Sequence, residues 1–148
     1  VEVVQVGNTV RLMRVANTSA APTYAFVVEG YSSGNQAAWP NELVFLLDGE
    51  QMRLRGGSSL EDVNVSQYSV SYYERAIFPV TGQQIRRVAE ANSVEVRMYG
   101  RNRSFPGVTW DEPRIQAVGK FHRLFVQRDW DNMNSEERAS LSKPGSGL

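Results

Sequence analysis

The chain contains no cysteine and only one histidine, His122. Without cysteine there is no disulfide, no thiolate nucleophile and no thiolate ligand for zinc or an iron–sulfur cluster. One imidazole does not make a two-histidine metal site, and a hydrolytic triad would have to recruit His122 to a serine. No G-x-S-x-G elbow is present to supply that serine. We therefore expect no metal and no cofactor, and we interpret His122 as a structural or surface histidine in preference to a catalytic one.

The chain also lacks net charge and long apolar runs. Lysine plus arginine and aspartate plus glutamate number 16 each, so no overall positive field attracts nucleic acid or an anionic membrane surface. No apolar run approaches the about 20 residues that a membrane-spanning helix needs. With 41% hydrophobic and 22% charged residues, the composition is that of an ordinary globular protein. We expect one domain over residues 1–142, a flexible tail at 143–148, and no nucleic-acid partner.

The first half of the chain has the patterns of β-strands and their turns. Residues 24–29 alternate between more and less apolar side chains, as in a strand with one face on the core. Residues 43–47 and 50–54 flank Asp48-Gly49, a pair that accepts positive φ at both central positions of a tight hairpin turn. Residues 55–63 are rich in glycine and serine and predict a loop. Another alternating strand then runs from Tyr68 toward Phe78.

The second half predicts two helices around a strand. Thr81 followed by Gln84 fits a capping box, which predicts a short helix over about residues 81–91. Residues 93–99 alternate as an exposed or edge strand does. Asp111 is a suitable N-cap and Pro113 is tolerated in a first turn, which predicts a longer helix over about residues 111–127. The apolar stripe that should pack this helix on the sheet consists of Ile115, Val118, Phe121, Leu124 and Phe125.

Runs of strands before helices favour an antiparallel α+β arrangement over a parallel doubly wound one. We therefore predict a single α+β domain with a mainly antiparallel sheet of about six to seven strands. The short helix and the longer helix should both pack on that sheet.

One stretch of the chain resembles a known group of proteins. It comprises Tyr73-Glu74-Arg75-Ala76-Ile77-Phe78-Pro79-Val80-Thr81, followed by residues 85–100, IRRVAEANSVEVRMYG. This resembles uncharacterised bacterial exported proteins and lipoproteins, in which a tyrosine-glutamate pair and a Pro-Val strand lead into a short helix and a strand of this type. The resemblance covers about residues 24–126. It implies a location and attaches no activity to the group.

The location that the resemblance implies is the bacterial periplasm or cell envelope. The chain begins at Val1 and not at a methionine, so we expect a cloning or processing boundary there. A removed secretory or lipoprotein leader, with a lipid anchor in the second case, fits this expectation.

Cations and aromatic rings recur around residues 97–105. Arg97, Arg101 and Arg103 with Tyr99 have the composition of a nucleic-acid or anionic-glycan contact. Tyr72 belongs to a set of strand tyrosines that offer a large apolar face with a polar tip for a ligand groove. A solvated strand face and ordinary strand packing are the alternative interpretations. We predict Tyr72, Arg97, Tyr99, Arg101 and Arg103 as ligand-binding residues.

Three functional hypotheses remain. The first is a non-enzymatic binding or interaction module of the bacterial cell envelope, which contacts a protein or a small ligand. The second is a small hydrolase-like enzyme that uses His122 or a carboxylate pair, since paired carboxylates can act as acid and base. The third is a structural assembly subunit, which requires a substantial apolar contact surface. The candidate carboxylate pairs are Glu61 with Asp62, Asp111 with Glu112, and Asp129 with Asp131.

Overall fold

The computed structural model describes residues 1–16, 18–34 and 36–141, and the tail expected at 143–148 lies outside them. Nine strands and four α-helices form in the described residues. The strands are β1 (Glu2–Gln5), β2 (Val10–Val15), β3 (Thr23–Ser33), β4 (Pro40–Leu47), β5 (Glu50–Arg55), β6 (Gly57–Val65), β7 (Val70–Val80), β8 (Val94–Gly100) and β9 (Val108–Thr109). The helices are α1 (Gly82–Glu90), α2 (Glu112–Phe121), α3 (Gln127–Asn132) and α4 (Ser135–Leu141).

The strands form two antiparallel sheets within one α+β domain. The first sheet has the order β1-β2-β3-β7-β6, and the second has the order β5-β4-β8-β9. The α+β class and the mainly antiparallel pairing are therefore confirmed. The strands divide between two sheets because β4 pairs with β5 and β8, and not with its chain neighbour β3.

The core lies between the two sheets and under the helices. Phe26 of the first sheet contacts Phe45 of the second with ring centroids 5.2 Å apart. Trp110, just before α2, lies against both rings, at 6.2 Å from Phe26 and 5.5 Å from Phe45. Farther along the first sheet, Tyr24 meets Phe121 of α2 edge to face at 6.0 Å. The longer helical segment thus covers the part of the first sheet that the second sheet leaves open.

The hairpin predicted at Asp48-Gly49 is confirmed. Both residues have positive φ, 49° and 89°, and β4 pairs with β5 in register from residue 42 to residue 55. The Asp48 carboxylate also accepts the backbone N–H groups of Asn92 and Ser93, at 3.0 and 2.8 Å. These bonds favour the charged form and lower the pKa of Asp48. The turn is thereby attached to the connection between α1 and β8.

The loop predicted over residues 55–63 is wrong, because β6 occupies residues 57–65 and pairs with β7. This strand lies at the edge of the first sheet and is exposed on both faces, so its sequence has no alternation of apolar residues to indicate a strand. The chain passes from the second sheet to the first at Gly56. A Cβ at that position would lie 2.1 Å from the carbonyl oxygen of Ile77, so only glycine fits there.

The strand predicted at 93–99 is present as β8, and its position is more interior than expected. Val94 and Val96 are buried, and β8 lies between β4 and the two-residue strand β9. The alternation of the sequence is confirmed by this burial. The edge position falls to β9, which was too short to predict.

Both predicted helix starts are confirmed. The Thr81 hydroxyl accepts the Gln84 N–H at 3.1 Å, and the Gln84 side chain accepts the Thr81 N–H at 3.0 Å. Asp111 accepts the Arg114 N–H at 3.2 Å, with proline in the first turn of α2. None of the helices in the described part of the chain is long and apolar enough to cross a membrane.

The apolar stripe of the longer helix is partly wrong. Residues 122–126 form one π-helical turn between α2 and α3, closed by the Gln127 N–H and the carbonyl oxygen of His122. The wider turn holds an extra residue and rotates everything that follows it. Leu124 is consequently 47% exposed, whereas Val126 is buried although the 3.6-residue period did not select it.

A buried ion pair fastens α3 to the first sheet. Asp129 is 6% exposed and accepts two hydrogen bonds from Arg14 on β2, at 2.7 and 2.6 Å. The Tyr24 hydroxyl donates a third bond to Asp129 at 2.6 Å. Burial and this negatively charged acceptor both raise the pKa of Tyr24. The pair sets the position of the helical segment that follows the π turn.

Candidate functional site

A cleft of about 310 Å³ opens between α1 and the π turn with α3. One wall is the N-terminal half of α1 and the other is the helical segment from residue 122 to residue 130. The side chains on these walls carry imidazole, guanidinium, amide and indole groups. The cleft is lined by Gly82, Gln83, Arg86, His122, Val126, Gln127 and Trp130.

A capped helix start forms one wall of the cleft, and a π turn shapes the other. The capping box fixes the first turn of α1, where Gly82 and Gln83 lie. The buried side chains Ile85 and Val88 hold the opposite side of α1 against the core. On the second wall the π turn brings His122, Val126 and Gln127 to the same side as Trp130. Single π turns inside α-helices occur frequently at functional sites.

His122 is half-buried in this cleft, and its environment opposes a positive charge. Burial is the largest cause that lowers the pKa of His122, and the nearby charge of Arg86 is the second. Glu90 acts in the opposite direction, and Arg123 lowers the pKa further. At neutral pH the imidazole is therefore neutral, with one N–H donor and one acceptor nitrogen.

The other polar groups of the cleft make exposed side-chain interactions. Arg86 Nε donates to Glu90 Oε1 at 2.8 Å, and both side chains are well exposed. Exposed pairs of this kind contribute little to stability, so Arg86 exchanges partners at little cost. Gln127 Nε2 donates to Asp131 Oδ1 at 2.9 Å. The Arg138 guanidinium lies 5.4 Å from the centre of the Trp130 ring.

The carboxylate pairs proposed as acid and base have other partners. Asp129 is held in the buried pair with Arg14, while Asp131 accepts from Gln127 on its own helix. Asp111 is the N-cap of α2, and Glu112 accepts from Gln116. Each of these contacts has a structural role. Within the described part of the chain, no carboxylate belongs to the lining of the cleft.

The third pair, Glu61 with Asp62, lies on β6. The carboxylate of Glu61 is 3.7 Å from Arg75, and Asp62 accepts the Val63 N–H at 2.8 Å. Within the residues that the structure describes, no group of three histidine, aspartate or glutamate side chains is arranged to hold a metal ion.

The predicted ligand-binding residues lie outside this cleft. Arg97 and Tyr99 are on β8, where the Tyr99 side chain and Glu95 both raise the pKa of Arg97. The turn after β8 contains Arg101 and Arg103, which bond to carbonyl oxygens of the 36–39 loop through the Arg101 N–H and the Arg103 guanidinium. Tyr72 is on β7, in the other sheet. The structure thus brings Arg97 and Tyr99 together and places Tyr72 apart, and the ligand-binding role of the set stays a prediction.

Sequence reasoning selected only His122 from the lining of the cleft. The missed residues are Gln83, Arg86, Gln127 and Trp130, which come from two segments about forty residues apart in the sequence. No sequence motif joins them, because the two segments meet only in the fold.

Comparison with protein-family models, with curated proteins and with solved structures finds no match to this chain. The geometry of the cleft and the chemistry of its lining are therefore the observations on which a function can rest.

Proposed function

We propose that this protein is a non-enzymatic binding module of the bacterial cell envelope, which takes a small ligand into the cleft between α1 and the π turn. The observation that carries the proposal is the convergence of amide, guanidinium, imidazole and indole groups on one concavity. Small-molecule sites are typically concave, with an apolar or aromatic surface and a few polar groups that set the orientation of the ligand.

The lining favours binding over hydrolysis. In a hydrolytic triad a carboxylate orients the histidine, and a nearby hydroxyl acts as the nucleophile. The acid that acts on the charge of His122 is Glu90, and its carboxylate accepts a hydrogen bond from Arg86. The lining itself contributes hydrogen-bond donors and acceptors and an indole surface, which are groups that hold a ligand.

The envelope location rests on the resemblance of residues 73–100 to exported bacterial proteins. Fractionation of the source cells tests it independently of the binding function. We expect the protein in the periplasmic or membrane fraction, and recovery in the cytoplasmic fraction would contradict the location alone.

The binding function predicts ligand-induced stabilisation without turnover. We expect a small-molecule library to yield compounds that raise the melting temperature, with the increase lost in Gln83→Leu, because this change removes one amide from the cleft. Gln116→Leu is the matched control, since Gln116 is an exposed glutamine on α2 that bonds to Glu112. Ligand binding to the folded state alone must raise stability by mass action.

The same protein is tested for turnover of esters, phosphoesters and glycosides. We expect no conversion above the uncatalysed rate. Conversion that disappears in His122→Gln would contradict the proposal and favour the hydrolase alternative.

A further inference from the structure

We propose that the ligand of this cleft carries an oxyanion, such as a carboxylate or a phosphate group, bound between Arg86 and His122. The inference rests on the proposed binding function and adds the chemical class of the ligand. It depends on three features of the described residues: the sign of the charge in the cleft, the free donors of Arg86, and the start of α1.

The lining of the cleft is positive. Among the described residues that line it, Arg86 is the one charged side chain, while its partner Glu90 lies outside the lining. Arg123 lies close enough to affect the ionisation of His122. An oxyanion would take the place of Glu90 as the partner of Arg86, beside the half-buried His122, and hydrogen bonds to ions are stronger than those between neutral groups. A cationic ligand would meet Arg86 with the same sign of charge. The charge of the lining therefore selects an anion.

Arg86 has donors to spare for such a ligand. Its Nε bond to Glu90 uses one of the five N–H groups of the guanidinium. The planar fork of arginine matches the two oxygens of a carboxylate or a phosphate. Because the pair with Glu90 is exposed, a ligand competes with it without first breaking a buried interaction.

The start of α1 adds to the same preference. Gly82 and Gln83 are the first two helical residues and both line the cleft. The first N–H groups of a helix have no partner inside the helix, and the Thr81 cap is used at Gln84. The first turn of α1 also contains no acidic side chain. The positive end of the helix dipole is thus not neutralised locally.

The remaining lining indicates what else the ligand carries. Val126 and Trp130 give the cleft an apolar wall beside its cationic groups. An oxyanion joined to an aromatic or aliphatic body would contact both. We therefore expect benzenesulfonate to bind more tightly than inorganic sulfate.

The single histidine makes the test direct, because the imidazole signals of His122 are unique in an NMR spectrum. The probes are sulfate and benzenesulfonate, which stay ionised throughout the range in which His122 titrates. We expect both to shift the His122 signals saturably, while chloride at equal ionic strength does not. Arg86→Gln should weaken binding roughly tenfold or more, because it removes a charged hydrogen bond.

Arg87→Gln is the matched control. Arg87 is the next residue on α1, is also exposed, and pairs with Glu50 at 3.5 Å outside the cleft. Both variants lose the same charge, so a difference between them excludes a general electrostatic effect. Equal weakening in both variants, or none in either, would overturn the inference.

The pH dependence supplies a second readout. The groups that act on His122 are Arg86 and Glu90 from α1 and Arg123 from its own helix. A bound anion stabilises the imidazolium, so the pKa of His122 must rise on binding and the affinity must increase as the pH falls through that pKa. Affinity for sulfate that does not change with pH would contradict contact with His122.

The failure of this inference is distinguishable from failure of the proposed function. If neither sulfonate nor sulfate binds and an uncharged library compound shifts the His122 signals, the oxyanion is wrong and the binding function stands. If no compound affects His122, both proposals fail.

Discussion

At the residue scale, acidic side chains organise the fold, and Glu74 is the first example. Glu74 is 4% exposed and accepts bonds from the Ser32 hydroxyl and from the N–H groups of Ala38 and Trp39, at 2.9, 3.0 and 2.7 Å. Trp39 has a φ of 51°, a conformation that is unfavourable for a bulky side chain. The bond from its N–H holds the loop in that conformation.

The tyrosine-glutamate pair of the resemblance thus has structural roles in this chain. Glu74 fixes the loop before β4, and the Tyr73 hydroxyl donates to Glu29 at 2.8 Å. Glu29 also binds Arg11 and Arg75 across neighbouring strands, and these donors lower its pKa. The residues that suggested a family are therefore informative about the fold and not about a reaction.

Asp129→Ala should destabilise the protein by about 3–5 kcal/mol, because it leaves the largely buried charge of Arg14 without its main partner. The Tyr24 hydroxyl would lose its acceptor as well. Asp131→Ala is the control, since Asp131 is exposed and accepts from Gln127 on the same helix. We expect the control to change stability by about 0.5 kcal/mol or less.

Chemical denaturation of the two variants measures both values. Similar unfolding free energies for Asp129→Ala and the unaltered protein would show that the buried ion pair does not stabilise the packing of α3 on the first sheet. The sequence could not separate these two aspartates, because both stand in the same polar run and only the fold buries one of them.

At the scale of elements, the predicted boundaries were accurate wherever a local rule acted. The caps at Thr81 and Asp111 and the Asp48-Gly49 turn depend on bonds within a few residues, and all three are confirmed. The strand β6 pairs with its chain neighbour β7, and the π turn lies within a continuous helical segment. Neither leaves a periodic pattern in its own sequence, which is why both were missed.

The edge strand β6 also shows how the sheet is protected. Its exposed edge has no lysine or proline, and it has instead a register shift between Leu60 and Asp62. The Asp62 carboxylate accepts a hydrogen bond from the Val63 N–H at 2.8 Å. A bulge and an occupied donor both make the edge less suitable for pairing with another strand. Docking through this edge therefore has little structural support.

Because of the π turn, we expect alanine substitutions at two apolar residues of the longer helix to reduce the stability of the protein by unequal amounts. Phe121→Ala should destabilise the protein by about 3–5 kcal/mol, because Phe121 is fully buried against Tyr24. Leu124→Ala should cost about 0.5 kcal/mol or less, because the wider turn places Leu124 in solvent. Thermal or denaturant unfolding compares the two. Equal costs would indicate an unbroken α-helix.

At the scale of the whole molecule, the sequence predicted the class and not the arrangement. The α+β class followed from the order of strands and helices. The division into two sheets follows from which strands meet: β4 pairs with β8 across about fifty residues of chain. Local patterns contain no information on such pairing. The candidate cleft could not be predicted from the sequence for the same reason, since its walls come from α1 and from the helical segment after α2.

The central claim is that the cleft between α1 and the π turn is where this protein binds its ligand. The most direct measurement is a crystal structure of the protein soaked with a library of small fragments. We predict fragment density in the cleft, in contact with Arg86, His122 or Trp130, with an anionic group on Arg86. Fragments gathered elsewhere, for example on the 68% exposed Tyr31 and its neighbour Tyr73, with none in the cleft, would contradict the claim.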